Sequence, residues 1–207
     1  MLGAVSAFKA YDIRGIAGED ITTDFSRRLG RAIVEFAQAT SIAVGRDIRS
    51  SGESLKAALI QGIVESGCTV VDLGIVPTGV VYRSTVDLNV DSAVAITASH
   101  NPPEYNGFKI VHKGLPVAGE DLQRLKAIYE SPDQGKANSP GTILSMSEYH
   151  HTVIDAIVQD VGPLARRVSV AVDSANAVPG PFIMELCDKL GVVLVDLNCT
   201  WDQRSPA

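Results

Sequence analysis

The residue types best suited to chemistry in this 207-residue chain lie in one short segment, residues 97–109, with the sequence TASHNPPEYNGFK. A hydroxyl (Ser99), an imidazole (His100) and an ammonium group (Lys109) could there carry a transferred group, move a proton and stabilise anionic charge. Because Ser99 and His100 are adjacent, an extended backbone points their side chains apart, and no G-x-S-x-G motif is present. A direct Ser–His relay is therefore not expected. The alternative is a rigid surface turn whose serine and asparagine side chains cap local backbone groups.

Two predicted strands, residues 92–97 and 108–111, flank the polar part of this segment. Two prolines stiffen it, and Asn106-Gly107 is a turn signal predicted to reverse the chain. The connection is too short for a helical crossover, so the second strand is predicted to run antiparallel to the first. The polar groups are then presented at a strand end, the edge where open α/β sheets bind ligands.

The sequence TASHNP followed by YNGFK closely resembles the active-site loop of the α-D-phosphohexomutases, the phosphomannomutase/phosphoglucomutase family. The resemblance implies an isomerase that moves phosphate between C1 and C6 of a mannose or glucose phosphate. Ser99 would be phosphorylated, donate its phosphoryl group to the hexose phosphate, and be rephosphorylated from the hexose 1,6-bisphosphate. A phosphate on Ser99 adds roughly −1.5 to −2 charges at neutral pH. The resemblance also implies Mg²⁺ on a phosphoserine oxygen, which makes Ser99 a metal ligand through its phosphate.

The same resemblance assigns roles to three further loop residues. Lys109 matches a lysine implicated in proton transfer with the sugar hydroxyl. A lysine acts as a base only if burial or a cationic neighbour lowers its pKa, and otherwise it stabilises phosphoryl charge. His100 is implied to be a hydrogen-bond partner or proton carrier near the reacting group, the alternative being a loop histidine bonded to the backbone. Asn101 is implied to bind substrate.

Two other segments resemble family motifs. Residues 8–15, FKAYDIRG, are similar to the opening motif, which implies that Tyr11 and Arg14 line the active site. Arg14 suits the role better because a guanidinium group matches phosphate oxygens bidentately, whereas Tyr11 could equally be a core aromatic residue. Residues 45–51, GRDIRSS, are similar to a second signature. We interpret its charged residues as structural, tying a strand end to the next helix: Arg46, Asp47 and Arg49.

The elements around these motifs predict an α/β fold. Apolar residues repeat at helical spacing in three stretches: residues 25–33, behind the cap candidates Thr22 and Thr23, residues 55–63, and residues 122–129. Strands are predicted at residues 41–44 and 69–73. Strands that alternate with helices predict a mixed, mostly parallel sheet covered by helices. The family resemblance implies that this sheet has four strands.

The chain is predicted to contain one domain and the beginning of another. The first, with the phosphoserine loop, spans residues 1–135, and residues 136–145 form a linker rich in small and polar residues. Residues 146–207 contain one βαβ unit, too little to bury both faces of its sheet. We therefore expect a natural chain that continues, or a truncation. The Asp-x-Asp-x-Asp-Arg loop that holds Mg²⁺ in the family is not among these residues.

Two functional hypotheses follow from this domain organisation. The first is a phosphohexomutase whose catalytic-serine half is present and which has little or no turnover by itself, since positioning and electrostatics supply most of phosphoryl-transfer catalysis. The second is a truncated, non-catalytic relative that binds a phosphosugar or a partner protein.

Charge and cysteine usage exclude other classes. The formal net charge is −6 and the pI about 5.2, so no overall field attracts nucleic acid or an anionic membrane. The family resemblance implies small hexose phosphates as the partners. The three cysteines form no C-x-x-C pair, which predicts free buried thiols and a reducing cytoplasm. His150-His151 has no ligand partner at i+4 on its predicted helix, so we expect a solvated face rather than a metal site.

Overall fold

The computed structural model describes residues 7–132 and 137–202. The strands are β1 (Ile13–Ile16), β2 (Ser41–Arg46), β3 (Thr69–Ile75), β4 (Ser92–Ile96), β5 (Tyr105–His112), β6 (Leu115–Pro116), β7 (Ile143–Ser145), β8 (Ser169–Val172) and β9 (Val193–Asp196). The helices are α1 (Thr23–Ala37), α2 (Gly52–Glu65), α3 (Thr78–Asp87), α4 (Gly119–Glu130), α5 (Tyr149–Val161) and α6 (Pro179–Lys189). Residues 1–6, 133–136 and 203–207, which the predicted domain boundaries include, lie outside the described residues.

One mixed sheet forms the centre of the molecule, with the strand order β1-β5-β4-β2-β3-β7 and β6 paired with β5. The pairs β2–β3, β2–β4 and β3–β7 are parallel, whereas β5 runs antiparallel to β1, β4 and β6. Every strand except β5 therefore points in one direction. The predicted mostly parallel sheet and the antiparallel strand after the loop are confirmed. The expectation of four strands is wrong, because β1, β6 and β7 join the same sheet.

Buried side chains of the central strands alternate between the two faces of the sheet, and each face has its own hydrophobic core. Ile42 and Val44 of β2 face one core, which α1, α2 and α4 cover, and Ala43 faces the other, which α3 and α5 cover. Strand β4 repeats the pattern, with Val94 and Ile96 on the first face and small alanines on the second. Because neighbouring strand residues point to opposite faces, these fully buried runs produce a three-layer α/β/α arrangement.

Close helix packing on the first face depends on two glycines. A Cβ on Gly30 of α1 would lie 2.4 Å from the carbonyl oxygen of Leu59, and one on Gly62 of α2 would lie 2.0 Å from that of Arg27. Both distances are shorter than any real carbon–oxygen contact, so the absence of a side chain lets the two backbones touch. Helix α1 begins as predicted, with the Thr22 hydroxyl accepting a hydrogen bond from Phe25 N at 3.1 Å.

The second unit contains the predicted βαβ, in which α6 connects the parallel strands β8 and β9. Helix α5 packs Tyr149 and Val153 into the second core and also contacts α6. The three cysteines are free and buried, as predicted. Within the described residues, no helix combines the length and apolar character needed to cross a membrane.

Part of the predicted linker, residues 136–145, is a strand. β7 pairs in parallel with β3, with Ile143 opposite Val70, and a Cβ on Gly141 would lie 2.0 Å from the carbonyl oxygen of Cys68. All three β7 residues are exposed. The strand is held by backbone hydrogen bonds to a sheet edge, which need no particular side chains, and this explains why composition indicated a linker.

Candidate active site

The loop between β4 and β5 is built from two consecutive turns. The amide of Asn101 donates to the Ala98 carbonyl at 3.2 Å, and the amide of Tyr105 donates to the Pro102 carbonyl at 3.0 Å. The side-chain amide of Asn101 also donates to the Ala98 carbonyl at 2.7 Å. The chain therefore reverses before Tyr105, within residues 98–105, and the predicted reversal at Asn106-Gly107 is wrong.

Asn106 and Gly107 are instead buried residues of β5. The Asn106 side chain, 0% exposed, donates to Ser51 Oγ at 2.8 Å and accepts from the Gly107 amide at 2.8 Å. Ser51 directly precedes α2, but its side chain makes no capping hydrogen bond and instead accepts the bond from Asn106. A Cβ on Gly107 would lie 2.2 Å from the Ile13 carbonyl oxygen. The glycine is thus required by the close approach of β1, and the asparagine ties the loop's end to α2.

Ser99 occupies the first turn in a left-handed conformation, with φ of 55°. A left-handed non-glycine residue costs roughly 1–2 kcal/mol, so the surrounding structure must hold it there. Its amide donates to Thr97 Oγ1 at 3.0 Å, and the residue is partly buried. Among the described residues, its hydroxyl has no hydrogen-bond partner, and the exposed His100 does not bond to it. The hydroxyl is therefore available to a ligand, and no Ser–His relay is present, as expected from their adjacency.

Asp12 joins two of the predicted site residues into one ionic cluster. Its Oδ2 accepts from Lys109 Nζ at 3.0 Å and from Arg14 Nη2 at 2.5 Å, and the three side chains are 12%, 26% and 23% exposed, in the order Asp12, Lys109, Arg14. Burial by itself would raise the pKa of the Asp12 carboxyl, but the hydrogen bonds and charges of Lys109 and Arg14 outweigh it and hold that pKa below its usual value. The cluster presents two cations held by one carboxylate.

A crevice of about 710 Å³ opens beside this cluster. Its walls include four predicted site residues, Tyr11, Arg14, Asn101 and Lys109, together with Asp12. The volume lies within the roughly 300–1,000 Å³ of typical small-molecule sites. Tyr11 is 82% exposed, so its alternative reading as a core aromatic residue is wrong. The turn from Lys9 to Asp12, closed by the Lys9 amide and the Asp12 carbonyl at 2.9 Å, holds it at the rim.

Ser99 lines a second, smaller crevice of about 190 Å³. This crevice follows the carboxyl ends of three parallel strands: Asp47 after β2, Pro77 after β3 and Thr97 after β4. The turn before α6 in the second unit, with Ala177, forms the facing wall. The structure thus places Ser99 at the predicted sheet edge. The loop contributes residues to both crevices, Ser99 to the smaller one and Asn101 to that of Arg14 and Lys109.

The surroundings of Ser99 do not make a magnesium site. Of the described residues that line its crevice, Asp47 is the one carboxylate. Both of its oxygens already accept hydrogen bonds from Arg49, one from the backbone amide at 2.9 Å and one from Nε at 3.2 Å. Mg²⁺ requires six oxygen ligands in nearly octahedral geometry, and these residues do not fit that requirement.

Comparison with known proteins agrees with this geometry. The model of the family described as "Phosphoglucomutase/phosphomannomutase, alpha/beta/alpha domain I" matches residues 5–136, more than half of the chain. The chain belongs to the phosphoglucomutase/phosphomannomutase family. The resemblance in the sequence of the loop is thereby confirmed at the level of the family.

Individual members of the family match almost the whole chain. The phosphomannomutase/phosphoglucomutase of Pseudomonas aeruginosa is 39% identical over 205 residues, which cover 97% of this chain and 43% of that protein. The phosphoglucomutase of Neisseria meningitidis is 38% identical over 205 residues, covering 96% and 44%. A solved structure of a family protein from Burkholderia thailandensis has a TM-score of 0.89 at 35% identity, covering 98% and 46%. The chain therefore spans less than half the length of these relatives.

Two residues of the candidate site, Asp12 and Arg49, have contacts that the local sequence does not indicate. Asp12 lies in the FKAYDIRG motif, where a carboxylate beside Arg14 could have indicated a bridging role. Arg49 was interpreted as a link between strand and helix, but its contacts reach the loop 50–56 positions later in the chain. Local spacing carries no signal for such a contact.

The histidine pair also differs from the prediction of a solvated face. His151 Nδ1 lies 2.8 Å from Glu185 of α6, and its Nε2 lies 3.0 Å from Glu148. Three side chains could each offer one atom to a metal ion, and these atoms lie within 4.8 Å of one another: His150, His151 and Glu185. Because carboxylates already occupy both nitrogens of His151, and Lys189 pairs with Glu185 at 3.2 Å, the arrangement is an ion-pair network that connects α5 with α6.

Proposed function

We propose that this chain is the phosphoryl-carrying part of a hexose-phosphate mutase and that Ser99 Oγ is the atom that carries the phosphoryl group. The observation that supports this most is the state of that hydroxyl. It lies at the carboxyl edge of the sheet in an open crevice, and no described residue bonds to it. A buried or bonded hydroxyl would have to be released before it could react.

The arrangement suits phosphoryl transfer from a hexose bisphosphate. Ser99 Oγ forms a bond to phosphorus, the bond between phosphorus and the sugar oxygen breaks, and the serine proton ends on that sugar oxygen. The reverse reaction returns the phosphoryl group to a different hydroxyl of the sugar. Charge on the equatorial oxygens must be stabilised throughout.

Arg14 and Lys109 are the groups we assign to this stabilisation. Asp12 fixes both cations on one wall of the larger crevice, where a hexose phosphate can approach the loop. As a cation bound to Asp12, Lys109 is suited to stabilise phosphoryl charge. Tyr11 and Asn101 are assigned to the sugar, since they line the same crevice. His100, exposed beside Ser99, is assigned to proton exchange with solvent.

The experiment is a single-turnover phosphorylation. The purified chain is incubated with glucose 1,6-bisphosphate or mannose 1,6-bisphosphate, and intact-mass and peptide mass spectrometry locate the phosphate. We expect one phosphoryl group on Ser99. The control is Ser54→Ala, which removes an exposed serine hydroxyl on α2 that donates to the Ser51 carbonyl, and this variant should be labelled normally. Labelling of Ser99→Ala to the same extent would refute the proposal. A chain that binds the bisphosphate without being phosphorylated would support a phosphosugar-binding module instead.

A further inference from the structure

Arg49 is 2% exposed although it lies just beyond the end of β2. Its guanidinium group has five N–H donors, and the structure accounts for each of them. Nε donates to Asp47 Oδ2 at 3.2 Å. Nη1 donates to the carbonyl oxygens of Pro102 at 2.6 Å and Tyr105 at 3.1 Å, and Nη2 donates to those of Ser99 at 2.8 Å and Asn101 at 2.6 Å.

Three of these four carbonyls belong to the loop between β4 and β5, and the fourth, that of Tyr105, belongs to the first residue of β5. The bonds to Ser99 and Asn101 fix both sides of His100, and the bonds to Pro102 and Tyr105 fix the second turn. The left-handed backbone of Ser99 lies between the Thr97 hydroxyl, which binds its amide, and Arg49, which binds its carbonyl. The direction of the Ser99 Cα–Cβ bond, which carries the hydroxyl, follows from that backbone conformation. One buried side chain therefore determines the shape of the loop and the orientation of its serine.

We propose that Arg49 is the positioning residue for Ser99: it does not touch the substrate, and it holds the serine in the conformation that accepts a phosphoryl group. This inference rests on the proposed function of Ser99. A planar guanidinium fork can bind four carbonyls in different directions, whereas a lysine ammonium has three donors at one point. Arg49→Lys keeps the charge and loses the fork, so the loop should lose its fixed shape.

The same strand end supplies a matched control. Arg46 lies three residues earlier, and its side chain donates to the Asp47 carbonyl at 2.9 Å and to Glu53 at 2.6 Å. Among the described residues it makes no bond to the loop. Arg46→Lys is therefore the same chemical change in the same motif without the contact that the proposal requires.

The test compares the two variants by three measurements. The first is the single-turnover rate of Ser99 phosphorylation by hexose 1,6-bisphosphate. The second is the affinity for a hexose phosphate. The third is amide hydrogen exchange at Asn101 and Tyr105, whose N–H groups close the two turns. For Arg49→Lys we expect a rate about 100-fold lower, affinity within a few-fold of the unmodified chain, and faster exchange at both amides. Arg46→Lys should match the unmodified chain in all three.

The outcomes separate this inference from the proposed function. If the unmodified chain takes no phosphate on Ser99, the proposed function fails, and the exchange data still decide whether Arg49 holds the loop. Unchanged exchange in Arg49→Lys, or equal losses of rate in the two variants, overturns the role of Arg49. Should Arg49→Lys fail to fold, Asp47→Asn takes its place, because it keeps the guanidinium group and removes the carboxylate that orients Nε. We expect about a tenfold slower phosphorylation, and an unchanged rate would equally overturn the role.

Discussion

Asp12 Oδ2 accepts a hydrogen bond of 3.0 Å from Lys109 Nζ, a residue 97 positions later in the chain. This bond connects the turn before β1 to the middle of β5, the strand that follows the loop containing Ser99. The same oxygen also binds Arg14. A single carboxylate thus sets the positions of two cations on the wall of the larger crevice, and its removal is a direct test of their cooperation.

Asp12→Asn should separate phosphoryl transfer from binding. The amide keeps the shape of the side chain but removes the one negative charge that lies between two cations, so Arg14 and Lys109 repel each other and lose their fixed positions. We expect transfer to Ser99 to slow by about tenfold or more. The affinity for hexose phosphate should stay equal or increase, since the crevice becomes more positive. The free energy of unfolding should fall by about 1–2 kcal/mol.

The control for this variant is Asp72→Asn. Asp72 forms an ion pair with Lys56 at 2.8 Å, and neither residue lines the larger crevice. Asp72→Asn should lower the free energy of unfolding and leave the rate of phosphoryl transfer to Ser99 unchanged. Weaker binding of hexose phosphate in Asp12→Asn, with an unchanged transfer rate, would contradict the assigned role of the cluster.

Substitutions of Ser99 should leave the fold intact. Ser99→Ala removes a hydroxyl that no described residue binds and keeps the same left-handed backbone strain, so the unfolding free energy should change by less than about 0.5 kcal/mol. Ser99→Gly relieves that strain and should raise it by about 0.5–1 kcal/mol. Denaturant titration measures both. A large loss of stability in Ser99→Ala would mean that the hydroxyl is a structural partner and not a free phosphoryl acceptor.

The wall opposite Ser99 contains a residue in a strained conformation. Ala175 has φ of 48°, in the turn that places Ala177 in the Ser99 crevice. Ala175→Gly should raise the unfolding free energy by about 0.5–1 kcal/mol, because relief of left-handed strain exceeds the extra entropy of the unfolded chain. Ala177→Gly, at a position outside the left-handed region, should lower it by a similar amount. Equal effects of the two substitutions in denaturant unfolding would contradict this explanation.

The contact between α5 and α6 should depend on pH. Hydrogen bonds to Glu185 raise the pKa of His151 above its usual value near 6.5, with further contributions from the charges of Glu185 and Glu148. A group whose pKa is raised in the folded state stabilises that state below its unfolded pKa, and the contribution is lost as pH rises through the folded pKa. The thermal midpoint should therefore fall as the pH rises from below about 6.5, the unfolded pKa of histidine, through the raised folded pKa of His151, and His151→Gln should flatten this dependence.

His150→Gln is the control for that measurement. The neighbouring imidazole contacts the Ser147 carbonyl at 2.9 Å and no carboxylate, so its removal should leave the pH dependence unchanged. An identical flattening in both variants would show that the pair with Glu185 is not its cause.

The sequence predicted the parts of this fold that depend on buried side chains. Helices α1 and α2 and strands β2 to β5 bury regular apolar patterns, and each was located to within a few residues. Strands β1, β6 and β7 were not predicted. β1 is four residues long and contains Gly15, and β7 is an exposed strand held by backbone bonds to β3. Backbone pairing leaves no pattern in the side chains, so composition could not reveal it.

Local motifs named candidate residues of the site, but they did not indicate which side chains bond to one another. The loop motif identified Ser99 and Lys109, and the opening motif identified Arg14. The groups that hold them, Asp12 and Arg49, act across about 50 to 97 positions of the chain. Asn106 shows the same difficulty, since Asn-Gly is a local turn signal but here a tertiary contact to Ser51 decides its role. Long-range polar contacts follow from the fold, which a single sequence does not display.

Ser99 is proposed to carry a phosphoryl group and to return it to a sugar, and the return step is the direct test of that proposal. The chain is labelled on Ser99 from isotopically labelled hexose 1,6-bisphosphate, freed of excess reagent, and mixed with unlabelled hexose 6-phosphate. We expect the label to leave the protein and to appear in newly formed hexose bisphosphate. A label that stays on the protein, or that leaves only as inorganic phosphate, would contradict it.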